Sequence, residues 1–227
     1  MKESSSTALA MACNGGHVAI VRFLIEAGAS LDCSHTSGGP VGFAVEAGKL
    51  QVLKMLLNAN ASPNTTCDGK TPLYVASQLD GGPLPGAQLM QALLDAKAEV
   101  NTEVYVPPAS PGPMLRMHAL SHTALHGKLT TLRMLISARA DLNVRNEQGA
   151  TPLLLAIGGR HEECALALIS AGADPNIGLH AGTRFSPNDP KNLGMHGNKT
   201  LHEAVYNNLP RIVQVQPAAR IPFLYIV

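Results

Sequence analysis

Three histidines, His118, His122 and His126, recur at every fourth position. Residues at i, i+4 and i+8 share one face of a helix, and imidazole nitrogens are common metal ligands. The row nevertheless makes a poor metal centre. Along one helix at most two rings converge on an ion, and no carboxylate or cysteine completes a four-ligand set. These histidines read as a partly exposed polar face. The phrase His161-Glu162-Glu163-Cys164 also carries reactive groups, but it lacks the second histidine of the His-Glu-x-x-His zinc-protease pattern. Neither a Gly-x-x-x-x-Gly-Lys-(Ser/Thr) phosphate loop nor a Gly-x-Ser-x-Gly nucleophile elbow occurs. The four cysteines, Cys13, Cys33, Cys67 and Cys164, form no Cys-x-x-Cys and match no zinc spacing. Cys13 and Cys164 fall in apolar helical stretches and read as small core residues. No catalytic residue, metal ligand or cofactor is assigned.

Composition narrows the classes further. A net charge of +1 with 15% charged residues supplies neither the basic stripe of a nucleic-acid binder nor a polybasic membrane anchor. No apolar run approaches the ~18 residues of a membrane span. The apolar stretch Ala8 to Cys13 is broken by Asn14-Gly15-Gly16, so no signal peptide is read there. Unpaired thiols suit a reducing compartment, and the expected location is the cytoplasm, with the nucleus as the alternative. Apolar residues make up 45% and aromatics only 4%, so Ala and Leu must fill the core.

The elements that position these side chains are set by repetition. Gly69-Lys70-Thr71-Pro72-Leu73-Tyr74-Val75-Ala76 returns as Gly149-Ala150-Thr151-Pro152-Leu153-Leu154-Leu155-Ala156. Each copy leads into apolar helical runs that close on Ala96-Lys97-Ala98-Glu99-Val100-Asn101 or Ala171-Gly172-Ala173-Asp174-Pro175-Asn176. With the last Ala of the phrase as marker, the units fall at Ala12, Ala44, Ala76, Thr123, Ala156 and Ala204, in steps of 32, 32, 47, 33 and 48. Thr71 and Thr151 can cap the free N–H groups of a starting helix. Pro72 and Pro152 then sit in the first turn, where a missing N–H matters little. Gly16, Gly48 and Gly127 can end the first helix in a left-handed conformation. Val18, Val21, Leu24 and Ile25 illustrate the apolar face of the second.

From Thr7 to Asn208 this pattern resembles the ankyrin repeat, whose period is about 33 residues. The resemblance implies an all-α solenoid of stacked helix-turn-helix pairs with projecting β-hairpin or loop fingers. The array covers residues 1–215, with repeats near 2–33, 34–65, 66–102, 113–145, 146–177 and 194–215. The apolar tail 216–227 is irregular. The resemblance also gives His161, His17 and His202 a structural place at helix starts, and puts His118 where the family has its capping Thr. Asn64, Asn101, Asn143 and Asn176 stand at the closing-phrase Asn, which some ankyrin proteins hydroxylate. The expected role here is structural, a turn Asn bonding its own loop.

Departures from the pattern are informative. The Gly expected after the second helix is Gly28 and Gly172 in the outer repeats but Asn60, Lys97 and Arg139 in the middle. Asn tolerates the left-handed conformation; Lys and Arg there should each cost up to about 1 kcal/mol. Pro/Gly-rich insertions at 80–86, 104–114 and 178–195 lengthen one inter-helix turn and two fingers, and read as loops. Neither end supplies the polar cap that repeat arrays need, which favours a piece of a longer array.

In function, the resemblance implies a non-catalytic scaffold or adaptor that binds another protein, with no nucleic acid, membrane or small-molecule substrate. The chain is expected to be monomeric or part of a longer chain. The matching finger positions are His35, Thr36, Gly38, Cys67, Asp68, Lys70, Glu147, Gln148 and His196. The matching positions on the exposed face of the first helices are Glu46, Gln78, Leu79, Leu125, His126, Tyr206 and Asn207. Exposed Leu and Tyr there would suit a protein interface. The alternatives are the targeting portion of a larger enzyme or ubiquitin-ligase subunit, and a C-terminal Tyr225-Ile226-Val227 ligand for a PDZ domain. A degenerate array without a partner is the remaining reading.

Overall fold

A computed structural model describes residues 7–32, 39–66, 68–79, 85–106, 115–147 and 149–177. Among the described residues, ten helices fall into five antiparallel pairs. They are α1 (Ala8–Gly15) with α2 (Val18–Glu26), α3 (Pro40–Glu46) with α4 (Leu50–Asn58), and α5 (Pro72–Leu79) with α6 (Gly86–Asp95). The series continues with α7 (Ala119–Leu125) and α8 (Leu129–Ser137), then α9 (Pro152–Gly158) and α10 (Glu162–Ser170). First helices stack in the order α1, α3, α5, α7, α9, and second helices form a parallel row behind them. This is the all-α solenoid the repeats imply. The expected sixth repeat at 194–215, the insertion at 178–195 and the tail 216–227 lie outside the described residues.

Local chemistry starts and stops each helix as the sequence demands. Thr7, Thr71 and Thr151 each accept, at their side-chain oxygen, the N–H of the residue three further on (3.2, 3.2 and 3.3 Å). His118, in the Thr position of the fourth pair, makes no such cap bond. Gly16 and Gly127 close their helices at φ 74° and 67°. In the fifth pair the same duty falls to Arg160, at φ 60°. After the second helices, Asn60, Lys97 and Arg139 hold φ 65°, 61° and 62°. The backbone therefore keeps its left-handed turn although the side chains disfavour it.

The core is made of small and branched side chains. Ala44, Ala76 and Ala156 are fully buried, which lets neighbouring first helices approach closely. Thr123 replaces the Ala in the fourth pair and is equally buried. Its hydroxyl is satisfied by donating to the Leu120 carbonyl at 2.9 Å. Cys13 and Cys164 are core residues, and burial pushes their thiols up to about 12 and about 11.

Two expectations need correction. The insertion at 104–114 is not wholly a loop: β1 (Val104–Val106) pairs antiparallel with β2 (Leu115–Met117), in register Val104 to Met117 and Tyr105 to Arg116. The alternation of Val-Tyr-Val and Leu-Arg-Met about a Pro/Gly-rich centre is a hairpin signal, and Val104 is fully buried. The insertion set at 80–86 also ends one residue early, because Gly86 is the first residue of α6 and is buried.

Of the closing-phrase Asn residues, Asn176 bonds its own loop, its Nδ2 donating to Asp174 Oδ1 at 3.2 Å, whereas the other three reach the next repeat. Asn64 Oδ1 accepts from Glu99 N–H, Asn101 Oδ1 from Asp141 N–H and Asn143 Oδ1 from Asp174 N–H, each at 2.9 Å. In the first repeat Asp32 does the same for Ser62 N–H at 2.8 Å. Each side chain thus satisfies a backbone donor of the next repeat. At Asn64, Asn101 and Asn143 the local bond is replaced because the finger turns stack edge to edge, which brings a foreign N–H within reach.

Candidate protein-binding surface

Two adjacent rows run along the ends of the first helices. One carries Glu46, Gln78 and Leu125, the other Leu79 and His126. Glu46, Gln78 and His126 are exposed. Leu79 and Leu125 are not the exposed apolar anchors the sequence suggested. Both are half-buried and pack on the core. Of the finger positions, Asp68 and Glu147 are exposed and Lys70 is half-buried. His35, Thr36, Gly38, Cys67, Gln148, His196, Tyr206 and Asn207 lie outside the described residues.

Behind these rows the repeats are tied backwards as well as forwards. Lys128, at the start of α8, donates from Nζ to the Ser77 and Gln78 carbonyls at 2.9 and 2.6 Å. These are C-terminal carbonyls of α5, where the free acceptors and the helix dipole both favour a cation. His161, at the start of α10, donates from Nε2 to the Leu125 carbonyl of α7 at 2.9 Å. The helix-start positions therefore position the exposed rows by fixing the helix ends that carry them.

The histidine row is the main revision. Helix α7 is only seven residues long, so His118 is its N-cap, His126 its C-cap and His122 alone lies within it. His122 is buried, 7% exposed, rather than part of a solvated polar face. Its ring meets Tyr74 edge-on with centroids 5.2 Å apart, and lies 4.5 Å from the His126 ring. Its Nδ1 is 3.3 Å from Ser77 Oγ, and that hydroxyl donates to the Tyr74 carbonyl at 2.6 Å. A hydroxyl has one proton to give, so His122 Nδ1 is the donor to Ser77. Burial, reinforced by His126 and Lys128, pulls the His122 pKa down to about 3. Burial lowers His118 and His126 in the same direction. All three rings are neutral near pH 7, and His122 joins the fourth repeat to the third through Tyr74 and Ser77. His118 Nδ1 and Ser121 Oγ are buried without a hydrogen-bond partner among the described residues. Among the described residues no group of three or more His, Cys, Asp or Glu is placed to hold a metal ion, and no helix is long and apolar enough to cross a membrane.

The hairpin adds a feature that the sequence reading passed over. Tyr105 is 48% exposed at the stem of the extended finger. Across the ladder, Arg116 stands opposite Tyr105 and makes an ion pair with Glu103 at 3.4 Å. Tyr and Arg are the side chains that most often anchor protein interfaces.

Comparison with known proteins agrees with this architecture. A family profile described as ankyrin repeats (three copies) matches residues 1–66, 86–179 and 120–215. The Caenorhabditis elegans ankyrin repeat and KH domain-containing protein mask-1 is 34% identical over 131 residues, or 57% of the chain. Human ankyrin repeat and SOCS box protein 16 is 28% identical over 183 residues, or 76% of the chain. The chain spans only 4% and 37% of the lengths of these two relatives. The ankyrin repeat domain of Bcl-3, described as a unique member of the IkappaB protein family, superposes with a TM-score of 0.68. That match covers 94% of this chain and 86% of the other at 21% identity, a likeness of fold.

Proposed function

The chain belongs to the ankyrin repeat family, and from that premise we propose that it is a non-catalytic scaffold or adaptor. It binds a partner protein through its finger tips and the concave face of its first helices. Ankyrin repeats in general mediate protein–protein interaction. The observation that carries the reading to this chain is the division of labour along each first helix. Apolar side chains are spent on stacking, while Glu46, Gln78 and His126 are left exposed at one end, beside Asp68 and Glu147 on the fingers. Tyr105 and Arg116 give the longest described finger an aromatic and cationic stem. The proposed setting is the cytoplasm, supported by the free buried thiols of Cys13 and Cys164.

The test is an affinity pull-down with two baits, the intact chain and a variant whose fingers 104–114 and 178–195 are cut to ordinary length. A partner held by the intact chain and lost by the variant supports finger binding. A partner held by both moves the site to the first helices. Recovery of chaperones alone from both baits would count against the module reading. Similarity to a protein whose name joins ankyrin repeats to a SOCS box favours a second reading, the targeting portion of a larger enzyme or ubiquitin-ligase subunit. Recovery of the chain's natural product joined to a further domain supports it.

A further inference from the structure

The first helix pair exposes apolar positions that the later pairs bury or half-bury. Ile20 of α2 is 51% exposed, whereas Val52, Leu89 and Cys164, its counterparts in α4, α6 and α10, are at most 1% exposed. Met11 of α1 is 66% exposed, while its counterpart Leu155 in α9 is at 1%. Phe23 is 69% exposed, and its counterparts Met55 and Met134 pack half-buried against the core. Three large apolar side chains therefore stand together on one face, at positions the fold uses for contact with the preceding repeat. A terminal pair built to face water would carry polar residues there.

We propose that the face of α1 and α2 is an internal stacking face, and that its occupant is a further helix pair of the same repeat type, carried by the same polypeptide ahead of α1. The face continues the interface by which α3 stacks on α1 and α5 on α3, so its shape already suits such a pair. A complex between separate chains draws about 20–30 residues from each side. One face of helices of 8 and 9 residues offers far less, and a covalently joined pair needs no such area, since joining removes most of the entropy of association. The relatives in which this chain spans 4% and 37% of the length have room for more repeats. This inference concerns a different surface from the partner-binding rows and stands apart from them.

Two measurements test it. The first places a second copy of residues 34–65 ahead of Lys2 and follows thermal unfolding by circular dichroism. Stacking raises Tm by about 4 °C or more, and Met11→Glu with Ile20→Glu abolishes the rise. The same two substitutions in the unextended chain leave Tm nearly unchanged, which shows that they fold. No rise, or a rise that survives the two glutamates, overturns the proposal. So does an unextended chain that sediments as a dimer and becomes a monomer on Phe23→Glu, since a second copy is then the occupant. The second measurement is the mass of the natural product, detected by antibody in native lysate. A product larger than 23.8 kDa by at least one repeat at its N-terminal side supports the proposal; a product of 23.8 kDa overturns it.

Discussion

Asn101 and Asp141 lie forty residues apart, yet the Asn101 carboxamide oxygen accepts the Asp141 backbone N–H at 2.9 Å. This bond crosses the hairpin insertion and holds the finger of the third repeat to that of the fourth. Asn101→Ala leaves the Asp141 N–H to solvent and removes the clasp. The expected loss is about 1 kcal/mol, in keeping with a partly exposed hydrogen bond. It reads as a Tm about 2–4 °C lower for a chain of this length. An Asn101→Ala variant as stable as the parent in urea denaturation would dismiss the clasp as incidental.

Lys97 and Arg139 hold left-handed turns at φ 61° and 62°, a conformation disfavoured by about 1–2 kcal/mol for residues with a Cβ. Glycine is free of that penalty and gives back part of it as unfolded-state entropy. Lys97→Gly and Arg139→Gly should each stabilise by up to about 1 kcal/mol. Arg160, at φ 60°, should respond in the same sense. Thermal melts that fail to rise in any of the three would sink the strain argument.

The opposite change is expected at Gly127. Its φ of 67° already resists a side chain, and an added Cβ would run into the His161 ring. That ring donates to the Leu125 carbonyl, so displacing it also frees the end of α7. Gly127→Ala should destabilise by roughly 2 kcal/mol, measured by chemical denaturation. A change below a few tenths would mean that the ring moves aside freely.

His122 gives the chain an acid sensitivity with a definite sign. Folded, its pKa is about 3; unfolded, it returns to about 6.5. The unfolded state therefore binds more protons between these values. Stability is complete above about pH 6.5 and falls as the pH drops toward 3. The upper bound for this residue is about 5 kcal/mol, and the depressed His118 and His126 add in the same direction. Urea midpoints should hold near pH 7.5 and fall once the pH drops below about 6.5, down to pH 4.5. His122→Leu should flatten that slope. An unchanged slope in the variant would locate the sensitivity elsewhere.

Cys13 and Cys164 are buried thiols held well above neutral pH, and the thiolate is the reactive form. Iodoacetamide at pH 8 should leave both unlabelled in the native chain and modify both in guanidinium, as mapped by peptide mass. Labelling of either at the rate of a free thiol would contradict the packing described for α1 or α10.

Much of this architecture was legible in the sequence because the signals are local. Thr71-Pro72 and Thr151-Pro152 mark helix starts by their own chemistry, and Gly16, Gly48 and Gly127 mark helix ends. What was not legible depends on neighbours brought close only by stacking. His122 looked like part of a polar row because spacing cannot say which side of a seven-residue helix meets the next repeat. The partners of Asn64, Asn101 and Asn143 are backbone groups 35, 40 and 31 residues away, beyond any local reading. Leu79 and Leu125 were assigned to the surface by family position, and packing on the core half-buries them. Tyr105 was hidden by its Pro/Gly-rich surroundings, although the alternating Val-Tyr-Val beside them carried the strand signal.

The forward clasps have a consequence for how such a chain can change over generations. In each, the acceptor is one side chain and the donor is a main-chain amide, which nearly every amino acid supplies. The recipient unit therefore needs no matching mutation. The sequence interval from acceptor to donor varies from 30 to 40 residues among the four clasps, while the bond length stays within 2.8–2.9 Å. Whole units can thus be duplicated, removed or lengthened, and the junction re-forms without co-evolution. The long finger beside Tyr105 is a place where that tolerance has been used.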